Sequence, residues 1–144
     1  MKTKFAIGCL VQWYECDMIQ DYAKSLYAAV ESYDAQVIVD FMIVGNQDLE
    51  KCVSNEQHTK CIEKIEKACN FGNIQYTDDL YTIADYRREF NSKYCDQVDV
   101  LMWGESDALI PKQTFVILNS LHQMSLQNNN PKFSTALFSL KGMF

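Results

Sequence analysis

Phe5, Ala6, Ile7, Gly8, Cys9, Leu10 and Val11 form a nearly continuous apolar run, a pattern that predicts a short strand covered on both faces. The period then changes. After Asp17, a residue type suited to capping a helix, Met18, Tyr22, Leu26, Ala29, Val30 and Tyr33 recur at three-to-four spacing and predict an amphipathic helix of about four turns. Residues 36–44 are β-branched and apolar and break at Gly45-Asn46, a turn dipeptide, so they read as a second strand. Strand, helix and strand in about forty residues make a βαβ unit, which implies parallel strands joined by a right-handed crossover.

The alternation continues. Residues 56–69 read as a helix whose Glu63, Lys64, Glu66 and Lys67 form a solvated face, and Phe71-Gly72-Asn73 ends it. Residues 74–76 predict a short third strand, and 83–94 a helix carrying Arg87 and Arg88. Residues 98–103 predict a further strand, which runs into Gly104-Glu105-Ser106-Asp107. A helix follows with Pro111 in its first turn and Phe115, Leu118, Leu121 and His122 facing inward. Asn128-Asn129-Asn130-Pro131 breaks the chain, and residues 133–140 read as a last strand. The whole predicts an α/β fold of three layers, a mostly parallel sheet with helices on both faces, in one domain over residues 1–144.

Composition narrows the function classes. At 144 residues, with 48 % apolar and 22 % charged residues, the chain is sized and composed for one hydrophobic core. Its net charge of -6 argues against non-specific nucleic-acid binding, which needs a basic face. No apolar run approaches the roughly 20 residues of a membrane span, and the start resembles a first strand more than a signal peptide. The expectation is a cytoplasmic protein with no transmembrane segment. Six cysteines without any Cys-x-x-Cys read as reduced thiols. Cys52, His58, Cys61 and Cys69 are zinc-binding types, but their spacing matches no finger or ribbon, and Cys61 and Cys69 share a helical face with Ile62 and Ile65. Helix packing is the simpler reading of that cluster.

The candidate chemistry lies at Glu105 and Asp107. A strand that delivers two carboxylates to its carboxyl end supplies hard oxygen ligands for Mg²⁺ or Mn²⁺ bridging a diphosphate, at the edge where open α/β sheets bind ligands. The plainer alternative is a strand-to-helix turn in which Asp107 caps the next helix and Glu105 is solvated. No Gly-x-Gly-x-x-Gly follows the first strand, no Walker lysine loop is present, and no Gly-x-Ser-x-Gly elbow occurs. A phosphate site here would therefore rely on a metal. His58 and His122 read as surface or packing residues.

The order of these elements resembles the nucleotide-sugar half of GT-A-fold glycosyltransferases, a Rossmann-like architecture, and in particular the large inverting family related to polysaccharide synthases. The segments that carry the resemblance are residues 5–11 followed by Gln12-Trp13-Tyr14-Glu15, and residues 37–44 followed by Gly45-Asn46-Gln47-Asp48. They continue with Asp85-Tyr86-Arg87-Arg88-Glu89-Phe90-Asn91 and with Glu105-Ser106-Asp107-Ala108-Leu109-Ile110-Pro111, where Glu105 stands in place of the family's first Asp.

The resemblance implies a nucleotide-sugar donor held by Val11, Gln12, Trp13, Glu15, Asn46, Arg88 and Ser106. Glu105 and Asp107 would ligate Mn²⁺ or Mg²⁺, Arg87 or Arg88 would add charge at the phosphates, and Trp13 or Tyr14 would stack on the base or sugar. It leaves the acceptor and the general base unassigned, since residues 108–144 contain no Asp or Glu. The chain then reads as the donor-binding part of a longer, here truncated, enzyme or as a short relative. Its apolar residues 133–144 imply cover by another segment or a protein partner. A non-catalytic α/β binding or assembly module and a metal-dependent nucleotidyl or phosphoryl transferase remain the competing readings.

Overall fold

A computed structural model of the chain describes residues 1–49 and 53–127. Strands β1 (Phe5–Gln12), β2 (Val37–Val44), β3 (Asn73–Thr77) and β4 (Val100–Trp103) form one parallel sheet in the order β3-β2-β1-β4. Helices α1 (Ile19–Glu31), α2 (Asn55–Ala68), α3 (Ile83–Tyr94) and α4 (Thr114–Gln127) cover it. The predicted α/β three-layer architecture is the one observed. From β1 the chain steps sideways to β2 and β3, then returns past β1 to β4. Right-handed crossovers taken in opposite directions put their helices on opposite faces, so α1 and α2 lie on one face and α3 on the other. The reversal makes the boundary between β1 and β4 a topological switch point, the place where open α/β sheets bind ligands.

Three local expectations are corrected. Met18, not Asp17, precedes the first turn of α1, because the Asp17 carboxylate is engaged in an ion pair with Lys64 on α2. Pro111 lies three residues ahead of α4, and its carbonyl accepts the N–H and hydroxyl of Thr114 at 3.0 and 2.7 Å. The intervening loop is held against α1 instead, where the Ile110 N–H donates to Ser25 Oγ at 2.9 Å. Asp107 therefore caps no helix, since α4 starts seven residues later at Thr114. His122 does face inward, with Nδ1 2.8 Å from Thr3 Oγ1. The predicted break at 128–131 and last strand at 133–140 lie outside the described residues.

Alternation along β1 builds two cores. Phe5, Ile7, Cys9 and Val11 face α1, α2 and the start of α4, where they meet Tyr22, Leu26, Ile65 and Phe115, all essentially inaccessible. Ala6 faces α3, which presents Tyr86, Phe90 and Tyr94 at four-residue spacing. This second core encloses a charge. Asp40 of β2 is 1 % exposed, and its carboxylate accepts hydrogen bonds from the hydroxyls of Tyr86 (2.7 Å) and Tyr94 (2.9 Å) and from Gln75 Nε2 (2.9 Å). Three donors replace the water that a buried carboxylate loses. Burial first, and then the charge of Asp40, push the Tyr86 hydroxyl far above its ordinary pKa, so it remains a donor.

Gly8, the register partner of Asp40 on β1, makes room for this network. A Cβ at position 8 would lie 2.4 Å from Tyr86 Oη and 2.7 Å from the Phe90 ring. The N-terminal end of α3 is set by a reciprocal cap, in which Asp85 N–H donates to Thr82 Oγ1 at 3.0 Å and Thr82 N–H to Asp85 Oδ2 at 3.3 Å. Gly8→Ala is expected to cost about 2–3 kcal/mol in urea unfolding by overpacking and by parting Tyr86 from Asp40. In that background Tyr86→Phe should cost little more, because both changes act on one hydrogen bond; additive losses would refute the shared cause.

Candidate functional site at the β1–β4 switch point

The four strands among the described residues end at one edge, and the residues that follow β1 and β4 meet there. β1 runs into a 3₁₀ turn, Trp13–Glu15, whose last residue folds back: the Gln12 N–H donates to Glu15 Oε1 at 2.8 Å. The other oxygen of that carboxylate, Oε2, accepts the hydroxyl of Ser106 at 2.6 Å. Glu15 thus brackets the switch point, tying the end of β1 to the turn after β4. That turn is closed by the Ala108 N–H donating to Glu105 O at 3.0 Å, and it leaves Ser106 buried while Glu105 and Asp107 on either side are exposed.

The approach of the turn depends on Gly104, where a Cβ would sit 1.9 Å from Tyr22 Oη. The Tyr22 hydroxyl is enclosed and has no hydrogen-bond partner among the described residues.

The second pair of strand ends is joined by Trp13. Its indole N–H donates to Asn46 O at 3.0 Å, while Asn46 reaches across to Asp78 O at 2.8 Å and accepts the Asp48 N–H at 2.8 Å. Trp13 is 2 % exposed, its ring packed against His58 at 4.9 Å. It presents no face to a ligand, which corrects its reading as a stacking surface; Tyr14 is the half-exposed aromatic here. Val11 is likewise buried, so only its backbone belongs to this edge. Gln12, Glu15 and Ser106 come together as the bracket just described, and Asn46 lies one strand further along.

Of the two arginines, Arg87 is the one that faces the acids. Arg88 points to solvent and pairs with Asp85 on its own helix at 3.4 Å. Arg87 Nη2 lies 3.7 Å from Glu105 Oε1, and its guanidinium carbon lies 4.7 Å from the centre of the Trp103 ring. Trp103 is held in turn by its indole N–H donating to Asn91 Oδ1 at 3.1 Å. The sequence assigns no role to Trp103, and Asn91 enters its reading only as the end of the segment that begins at Asp85. Their signal was the spacing of α3: Arg87 and Asn91 each follow a buried aromatic, Tyr86 and Phe90, and so flank the buried stripe together.

The carboxylate of Asp107 has no hydrogen-bond or ion-pair partner among the described residues. Two exposed carboxylates one residue apart fit a hard cation that takes its remaining ligands from water and phosphate. They do not make an all-protein cage, for no group of three His, Cys, Asp or Glu side chains converges among the described residues. Cys9 lies in the core beneath. Its thiol is pushed well up, by burial first, then by Cys69 and the carboxylates of Glu15, Glu105 and Asp107, which makes it inert as a nucleophile.

Cys52 of the cluster with zinc-binding types lies outside the described residues. The others pack: His58 Nε2 is 2.8 Å from Gly45 O, Cys69 is fully buried, and Cys61 lies against the same core. A groove of about 390 Å³ between α1 and α2 and a cavity of about 60 Å³ beside Asp40 both lie away from Glu105, Ser106 and Asp107. No helix among the described residues is long and apolar enough to cross a membrane.

The chain matches no protein-family model, no curated protein and no solved structure. The bracket itself is testable. Ser106→Ala should lower stability by about 1–2 kcal/mol, since the Glu15 oxygen loses its donor in a half-buried position. It should also speed amide exchange at Gln12 and Ala108, measured by NMR; unchanged exchange at both would mean that the two loops are held by other contacts.

Proposed function

We propose that this chain binds a nucleoside-diphosphate sugar at the β1–β4 switch point, as the donor-binding part of a glycosyltransferase resembling the GT-A fold. The observation that carries the reading is the pairing of an uncommitted Asp107 with Glu105 on a turn at the carboxyl end of β4, across the reversal of strand order from β1. An acid pair at that point of an open parallel sheet has a reason to be exposed, because its partner arrives with the ligand.

In this reading Asp107 and Glu105 hold a Mn²⁺ or Mg²⁺ ion, which when bound neutralises the diphosphate as a leaving group. Arg87, a third exposed and already at the turn, contributes hydrogen bonds to phosphate oxygens. Tyr14 offers an aromatic face for the base at the end of β1. Glu15 and Ser106 are positioning residues, whose hydrogen bond fixes the turn against the first loop. The acceptor and the group that deprotonates it are not assigned to this chain.

Calorimetric titration of UDP and of GDP, with and without Mn²⁺, tests the proposal. One of the two should bind only with the metal present, and Asp107→Ala should weaken that binding by about a hundredfold or more. Failure of both nucleotides to bind the folded protein in the presence of Mn²⁺ would overturn it.

A further inference from the structure

We infer that Arg87 couples the two ligands of this site, opposing a divalent cation that arrives alone and favouring one that arrives with a diphosphate. The inference rests on the reading of Glu105 and Asp107 as a metal-diphosphate site. It concerns how that site is controlled, and it comes from how Arg87 is held.

The guanidinium is pre-organised without being neutralised. Its carbon stacks 4.7 Å from the Trp103 ring centre, and that ring is fixed by the Asn91 carboxamide at 3.1 Å, one helical turn beyond Arg87 on α3. The same helix therefore carries both the arginine and the group that holds its platform. Against Glu105 the closest approach is only 3.7 Å, longer than the 2.7–2.9 Å of a charge-assisted hydrogen bond. Arg87 donates no hydrogen bond among the described residues, so its planar fork of N–H groups is unfilled.

Two opposite consequences follow from that position. With no anion present, the arginine's positive charge offsets Glu105 and repels a divalent cation from the acid pair. When a diphosphate occupies the turn, the same charge meets phosphate oxygens, and the fork supplies donors that the carboxylates cannot. The side chain changes from competitor to ligand without leaving its stack on Trp103. Coupling of this kind is reciprocal: the nucleotide tightens the metal by the factor by which the metal tightens the nucleotide.

The test measures Mn²⁺ binding by electron paramagnetic resonance, alone and with saturating UDP or GDP, in the wild type and in Arg87→Gln, Arg87→Lys and Asp107→Ala. In Arg87→Gln, Mn²⁺ alone should bind about fivefold more tightly than in the wild type, while the tightening produced by nucleotide should shrink by about tenfold. Arg87→Lys keeps the charge but not the fork; it should leave the affinity for Mn²⁺ alone near wild type and still lose most of the nucleotide effect. Unchanged or weaker binding of Mn²⁺ alone in Arg87→Gln, with Asp107→Ala abolishing it, would overturn the coupling and leave the site standing. Wild-type binding of metal and nucleotide by Asp107→Ala would remove the site itself.

Discussion

The carboxylate of Asp40 is the point on which the arrangement of this protein turns. A charge that is 1 % exposed in the middle of a parallel strand needs partners that only α3 and β3 can supply, and it takes hydroxyl donors from Tyr86 and Tyr94 and an amide donor from Gln75. Those bonds fix both how far α3 stands from the sheet and how it is rotated about its axis. Rotation decides which residues flank the buried stripe, and the flanking pair, Arg87 and Asn91, engages Trp103 at the end of β4. A buried acid near the centre of the sheet thus sets the surroundings of two exposed acids at its edge. The glycine opposite Asp40 is part of the same device, since any larger residue at position 8 would displace the aromatic rings that carry the donors.

Much of this fold is legible in the chain because two periods alternate cleanly along it. Strands β1 and β2 announce themselves as apolar runs, and α3 spans the residues that its spacing indicates, Ile83–Tyr94. Errors arise where a side chain has a tertiary partner that no local pattern encodes. Asp17 has the chemistry of a helix cap, yet it is drawn away by Lys64, a residue 47 positions later on another helix. Pro111 has the chemistry of a first turn, yet the loop after Asp107 is anchored on Ser25 and the helix begins only at Thr114.

The same distinction separates the legible from the illegible parts of the site. Glu105 and Asp107 stand out because acids at the end of an apolar strand are conspicuous. Glu15 and Ser106 bond across 91 residues of sequence, and neither signals the other. Arg87 and Arg88 are adjacent and chemically identical, so composition cannot choose between them. Helical geometry does choose: position 87 lies beside the buried aromatic of position 86, and position 88 is a further 100° around the helix. Trp13 fails as a stacking surface for a related reason. Its indole N–H has a carbonyl to satisfy on the neighbouring strand end, and reaching it turns the ring into the interior.

The Glu15 carboxylate has one oxygen on the backbone of Gln12 and the other on the hydroxyl of Ser106. A group gripped at both ends transmits displacement as well as force. A pull on the turn after β4 is passed to residues 12–15 and, through the indole of Trp13, to the carbonyl of Asn46. The rim of the sheet from β4 to β2 is therefore a single stiff lip. Its exposed edge lies on the α3 side, where Trp103 meets Arg87 and Asn91. Adjustment to a ligand would then fall to the exposed side chains of Arg87 and Trp103, set between a fixed lip and a helix that Asp40 pins to the sheet.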